Sequence, residues 1–112
     1  MTNDPVKRKE HDEDKLNLNI ATVGWGYGVQ VTQKRILEQW KPPTVGNLPL
    51  LLSFGGSDRL ADPTKAREFF ARIESTDKTV DERKDKLHEI LNETDRQELY
   101  AEIKDWILAH IK

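Results

Sequence analysis

The chain contains no cysteine, which excludes disulfide frameworks, thiolate metal sites and a cysteine nucleophile together. Its longest apolar run, Leu50–Leu51–Leu52, falls far short of the roughly 18–20 residues a membrane-spanning helix needs. No apolar signal-peptide stretch follows Met1. Neither sign of charge dominates: 18 Lys+Arg stand against 20 Asp+Glu, a net charge of −2. The basic excess or stripe of a non-specific nucleic-acid binder is therefore missing, and nucleic acid is not an expected partner. No internal repeat and no Gly/Ser-rich linker divides the 112 residues, which have the length of one small domain. No cofactor and no metal is expected. These absences fit a cytoplasmic protein most simply.

What the chain has in quantity is charge. Charged residues make up 34% and hydrophobic residues 36%, against about 25% and 45–50% in an average soluble domain. Residues 1–15 carry nine of those charges and almost nothing apolar. They cannot bury a core face, and read as a solvated, disordered arm or a frayed helix. Residues 16–47 form a second region. Val29, Ile36, Leu37 and Trp40 share a helical face. Gly24, Gly26 and Gly28, set between Trp25 and Tyr27, weaken a helix upstream of it and suggest a turn. Pro42–Pro43 ends it.

Residues 48–112 hold the clearest elements. Leu48–Phe54 is a continuous apolar stretch stopped by Gly55–Gly56, which suits a strand buried on both faces of a parallel sheet. Asp62–Pro63 is a helix start, with Asp as cap and Pro at the first helical position. Ala66, Phe69, Phe70 and Ile73 make that helix's apolar face. Lys78–Thr79–Val80 is a weak strand. Thr94–Asp95–Arg96–Gln97 fits a capping box before an amphipathic helix bearing Leu99, Ile103, Trp106, Ile107 and His110. Strand, helix, strand, helix in this order is α/β. Two strands are too few for an independent sheet, so the chain reads as part of a larger sheet or one side of an oligomer.

Open α/β sheets place functional groups at the carboxyl ends of their strands. Asp58 falls there, just past Gly55–Gly56–Ser57, where a simple turn would also use these residue types. His88 lies 30 residues later, one strand–helix–strand passage on, where it could return to the same end or be an ordinary surface residue. Histidine titrates near neutral pH, and an Asp beside it makes an oriented general base. His11 and His110 have no such context.

At this point a resemblance enters. Pro49-Leu-Leu-Leu-Ser-Phe-Gly-Gly-Ser-Asp-Arg-Leu-Ala-Asp-Pro63 resembles the acid segment of the α/β-hydrolase fold, in its monoacylglycerol lipase/lysophospholipase branch, the serine aminopeptidase-like group. Asp77-Lys-Thr-Val80 and Leu87-His-Glu-Ile-Leu-Asn-Glu93 resemble that family's last strand and its histidine motif. Asp58 falls on the triad acid, His88 on the triad base, and their interval is similar to the family's. Residues 16–40 resemble, more loosely, the end of the family's cap. The last two-thirds of the chain carries the likeness.

The resemblance implies the C-terminal portion of an α/β-hydrolase sheet, about two strands with flanking helices, incomplete as a stand-alone domain. It implies hydrolysis of acylglycerol or lysophospholipid esters, with contact at a lipid surface. Yet no Gly-x-Ser-x-Gly elbow is present. Ser53, Ser57 and Ser75 are the only serines, and Arg59 stands where Ser57 would need a glycine. The expected catalytic set is Asp58 and His88 without a nucleophile. The chain alone is expected to be inactive, to need an N-terminal hydrolase half, or to self-associate; the alternative is a noncatalytic interaction module. The charged run Asp81–Lys86 departs from the family's aliphatic strand and leaves open a helix through His88.

Overall fold

A computed structural model describes residues 1–18, 20–39, 41 and 44–111. Four helices and four short strands follow one another as α1 (Pro5–Glu13), α2 (Val23–Gln39), β1 (Thr44–Gly46), β2 (Leu50–Gly55), α3 (Pro63–Ala71), β3 (Glu74–Ser75), β4 (Lys78–Arg83) and α4 (Arg96–His110), with a 3-10 turn over Ile90–Asn92. The strands form two parallel pairs, β1 with β3 and β2 with β4. In the longer pair Leu50 faces Lys78 and Gly55 faces Arg83, without a break in register.

β2 begins two residues later than its apolar run and extends one residue further, to Gly55. Its residues Leu50–Phe54 are half-buried, since a single neighbouring strand covers only one edge. β4 is a strand made almost wholly of charged and polar residues, and the helix through His88 that this run left open does not form. Each charge on it is met by a partner. Lys78 Nζ donates to the carbonyls of Phe70, Ala71 and Ile73 at the end of α3, and Glu82 pairs with Arg67 of α3 at 2.6 Å. From the alternate positions Arg83 pairs with Glu102 of α4, and Trp106 Nε1 donates to Thr79 at 3.1 Å. Asp81 accepts from Ser53 at 2.7 Å and Arg83 at 3.0 Å. Helices α3 and α4 thus flank opposite faces of the β2–β4 pair.

α3 starts as its Asp-Pro signal implies: Asp62 Oδ1 accepts from the N–H groups of Thr64 and Lys65. α4 starts differently. Its cap is Asp95, whose side chain does not cap but pairs with Lys86 at 2.7 Å, so the Thr94 capping box is not made. α2 runs straight through Gly24, Gly26 and Gly28, where a turn was suggested. A Cβ at any of the three would meet nothing within 4 Å, so these glycines answer to no close packing. Trp40, Pro42 and Pro43 lie outside the described residues. Where the first fifteen residues suggested a disordered arm or a frayed helix, Pro5–Glu13 is a helix, and Thr2 and Asp4 before it are buried.

Candidate active site

The site is built where the loop after β4 crosses the end of β2. A Cβ on Gly55 would stand 2.1 Å from the Leu87 carbonyl oxygen and 2.5 Å from that of Lys86. Only glycine admits that backbone so closely. Gly56 N–H donates to Arg83 O, and Ser57 N–H to Lys86 O, fastening the turn to the loop. The residues that follow these two contacts are Asp58 and His88.

Their side chains meet: His88 Nδ1 and Asp58 Oδ2 stand 2.7 Å apart. The other oxygen of Asp58, Oδ1, accepts from the N–H groups of Leu60 (2.7 Å) and Ala61 (3.1 Å). Burial of Asp58 works to raise its carboxyl, but the His88 bond and the two backbone N–H groups outweigh it and hold the pKa below the ordinary value. An ionised carboxylate only accepts, so His88 Nδ1 carries the proton and Nε2 presents its lone pair when the ring is neutral. The Asp58 side chain is 7% exposed and the His88 side chain 46%. The arrangement is an imidazole fixed by a sheltered carboxylate, its own side chain nearly half exposed.

None of the three serines stands at that nitrogen. Ser53 donates to Asp81, Ser57 to the Lys84 carbonyl at 2.7 Å, and Ser75 to the Leu48 carbonyl. His11 lies beside Asp12 on α1, and His110 beside Asp77 and the Trp106 carbonyl. Among the described residues no group of three His, Asp or Glu side chains could hold a metal ion.

The histidine loop is held from beneath by a carboxylate that sequence reasoning missed. Glu93 is fully buried. Its Oε1 accepts from Leu87 N–H at 3.2 Å and from Asn3 N–H at 3.0 Å, joining the histidine loop to the N-terminal segment. Around it Thr2 Oγ1 donates to the Asn92 carbonyl, and Asn3 Nδ2 to that of Asp85. Glu89 N–H donates to Met1 O, and the Glu89 carboxylate pairs with the Met1 amine. Asp4 caps α1 through Val6 and Lys7 N–H and accepts from Arg96 at 2.7 Å. Met1–Asp4 is thus a strap across the histidine loop. One signal for it was present: Asp4–Pro5 repeats the helix start of Asp62–Pro63. For Glu93 the sequence held none, because its partners are backbone N–H groups, one six residues away and one 90 residues away, which no side-chain pattern marks.

A family model described as serine aminopeptidase, S33, matches residues 1–95. An uncharacterized abhydrolase domain-containing protein of Dictyostelium discoideum is 26% identical over 113 aligned positions, which take in all of this chain and 12% of that protein. The crystal structure of a monoacylglycerol lipase from Paleococcus ferrophilus superposes with a TM-score of 0.76 at 25% identity, covering 98% of this chain and 42% of the lipase. The chain therefore spans well under half the length of these relatives.

Proposed function

The chain belongs to the S33 serine aminopeptidase family and has the α/β-hydrolase fold over part of that fold's extent; from this we propose that Asp58 and His88 are the acid and base of a serine ester hydrolase. The observation that carries the reading is the 2.7 Å contact between them, with Asp58 held on both oxygens. In such an enzyme the histidine's free nitrogen takes the proton of an attacking serine and returns it to the leaving alcohol. The carboxylate fixes the tautomer and stabilises the imidazolium. His88 Nε2 and Asp58 fill those two roles. The substrates proposed are acylglycerol or lysophospholipid esters, met at a lipid surface by peripheral contact from the cytoplasm.

The 112 residues hold no Gly-x-Ser-x-Gly, and the nucleophile and oxyanion donors have to come from sequence outside them. The chain alone then gives no ester turnover above an equal concentration of imidazole. Co-expressed with the part of a related hydrolase that bears the serine elbow, it restores turnover of a short-chain acyl ester. Asp58→Asn reduces that restored rate by about 10⁴-fold and His88→Ala by about 10⁶-fold. Serine-dependent turnover by the chain alone, abolished by Ser57→Ala, would overturn the reading. So would a restored rate indifferent to His88→Ala, which would favour a noncatalytic interaction module.

A further inference from the structure

A cleft of about 310 Å³ is lined by Met1, Thr2, Asn3, Arg8, Arg59 and Leu87, the last two being chain neighbours of Asp58 and His88. Both of its inner walls come from the pair's own neighbours, since Arg59 follows Asp58 and Leu87 precedes His88. The outer wall is the strap and the second turn of α1. Two guanidiniums, Arg8 and Arg59, therefore flank one cleft walled by chain neighbours of a candidate catalytic pair.

Both arginines stand on fixed supports. Arg59 follows a carboxylate held by His88 and by two backbone N–H groups. Arg8 sits on a helix whose first turn is capped by Asp4, itself tied to Arg96. Their charges are not spent locally. Asp4 pairs with Arg96, Asp58 with His88 and Glu89 with the Met1 amine. Among the described residues neither Arg8 nor Arg59 has a carboxylate partner. The carboxylate of this region left without a cation is the buried Glu93, whose Oε1 accepts from two backbone N–H groups and whose Oε2 has no hydrogen-bond partner among the described residues, against two guanidiniums.

We propose that this cleft is an oxyanion site in which Arg8 and Arg59 together bind a phosphate group. Guanidinium suits that role because its planar fork meets phosphate oxygens with two parallel hydrogen bonds. The volume is about ten times that of one water, so it admits a phosphate with a glycerol-sized group attached. On the reading above, which this step rests on, the phosphate would belong to the alcohol side of the ester that reaches His88. A free phosphate has the same chemistry and is separated by experiment.

The test is an NMR titration of the isotope-labelled chain, co-expressed with the serine-bearing part of a related hydrolase that covers its open faces, with sn-glycerol 3-phosphate, inorganic phosphate and glycerol. Saturable shifts are expected at the amides of Asn3, Arg8, Arg59 and Leu87 with sn-glycerol 3-phosphate and not with glycerol. Arg8→Gln or Arg59→Gln weakens binding about tenfold, the loss expected for one charged hydrogen-bond donor. Added salt weakens it further. Equilibrium dialysis with radiolabelled sn-glycerol 3-phosphate reads the same affinities if the chain self-associates. Inorganic phosphate binding as tightly as sn-glycerol 3-phosphate supports the site and assigns free phosphate to it; a preference for sn-glycerol 3-phosphate assigns the esterified group. Shifts that do not saturate, that glycerol reproduces, or that survive in the double variant overturn the site. The hydrolase reading is judged separately, by His88-dependent turnover of an uncharged ester by the chain co-expressed with the serine-bearing part of a related hydrolase. Phosphate binding without that turnover overturns the reading, and turnover without phosphate binding overturns the site.

Discussion

Gly55 shows at one position how the histidine loop is placed. The atoms a Cβ would meet are backbone carbonyl oxygens of Lys86 and Leu87, not the yielding tip of a side chain. Gly55→Ala therefore costs about 1–3 kcal/mol, the usual range for forcing atoms into a packed site, and pushes the loop away from Asp58. A denaturant midpoint lowered by that amount, with a matching loss of restored ester turnover, is the expected result; an unchanged midpoint would mean the loop does not press on β2. Asp58 itself sets a pH dependence. Its pKa is lowered on folding, as are those of Asp4, Glu89 and Asp95, where Arg96, the Met1 amine and Lys86 respectively contribute. A carboxyl with a lowered folded pKa contributes stability above its unfolded value and loses it as pH falls through the folded one. The urea midpoint of the chain paired with the serine-bearing part of a related hydrolase is thus expected to hold from pH 7 to about 5, then to drop as the solution passes below the ordinary carboxylate range near 4. A midpoint that rises toward acid would contradict all four assignments.

Among the elements, α3 has the most explicit start, and Asp62→Ala removes a side chain that accepts from two N–H groups. The expected cost is about 1 kcal/mol, read as a shift in the thermal midpoint of the chain paired with the serine-bearing part of a related hydrolase, with the fold otherwise kept. Asp62–Pro63 was legible because cap and proline are neighbours in the chain and act on the next turn. Asp58 and His88 were legible because a buried strand announces its own end, and one strand–helix–strand passage fixes where the next strand ends. β4 was legible only in its first half. Lys78–Arg83 has one apolar residue, and what makes it a strand is the set of charges on α3 and α4 that its own charges find. α2 was misjudged over Gly24–Gly28 because helix propensity ranks glycine low, yet a continuous helix passes through it. The docking of the strap onto Asn92 and Glu93 was not legible for another reason: those bonds join residues 90 positions apart, and no local pattern encodes such a pairing.

As a whole the molecule is open. Its accessible surface is 8847 Å², against about 6,300 Å² for a compact monomer of this length. Its radius of gyration is 16.7 Å, against about 13 Å. Among the described residues the buried apolar side chains are Phe70, Ile90 and Leu99. Leu91, Tyr100, Ile107 and Leu108 form an exposed apolar patch along α4. The excess of about 2,500 Å² exceeds the roughly 800 Å² a partner contributes to an ordinary interface. The isolated 112-residue chain is therefore expected to self-associate or to unfold without a sharp transition, and to become monodisperse when the serine-bearing part of a related hydrolase is supplied. Sedimentation and calorimetry check this. A monodisperse monomer with one sharp thermal transition would show that these faces need no cover.

The strap has a consequence in time as well as in space. Thr2 meets Asn92, Asn3 meets Glu93 and Asp4 meets Arg96, so its fastening encloses almost the entire chain. The β2–β4 pairing joins residues only 28 apart, as Ser53 and Asp81 are. Closure entropy grows with the length of chain enclosed, and distant pairings form slowly. The short passage that brings Asp58 to His88 is thus expected to assemble early in folding, and the strap to dock late. The Asp58–His88 contact would form before Arg8 on α1 reaches its cleft, so on the function and binding site proposed above the order of folding would make the site's chemistry first and its selectivity last.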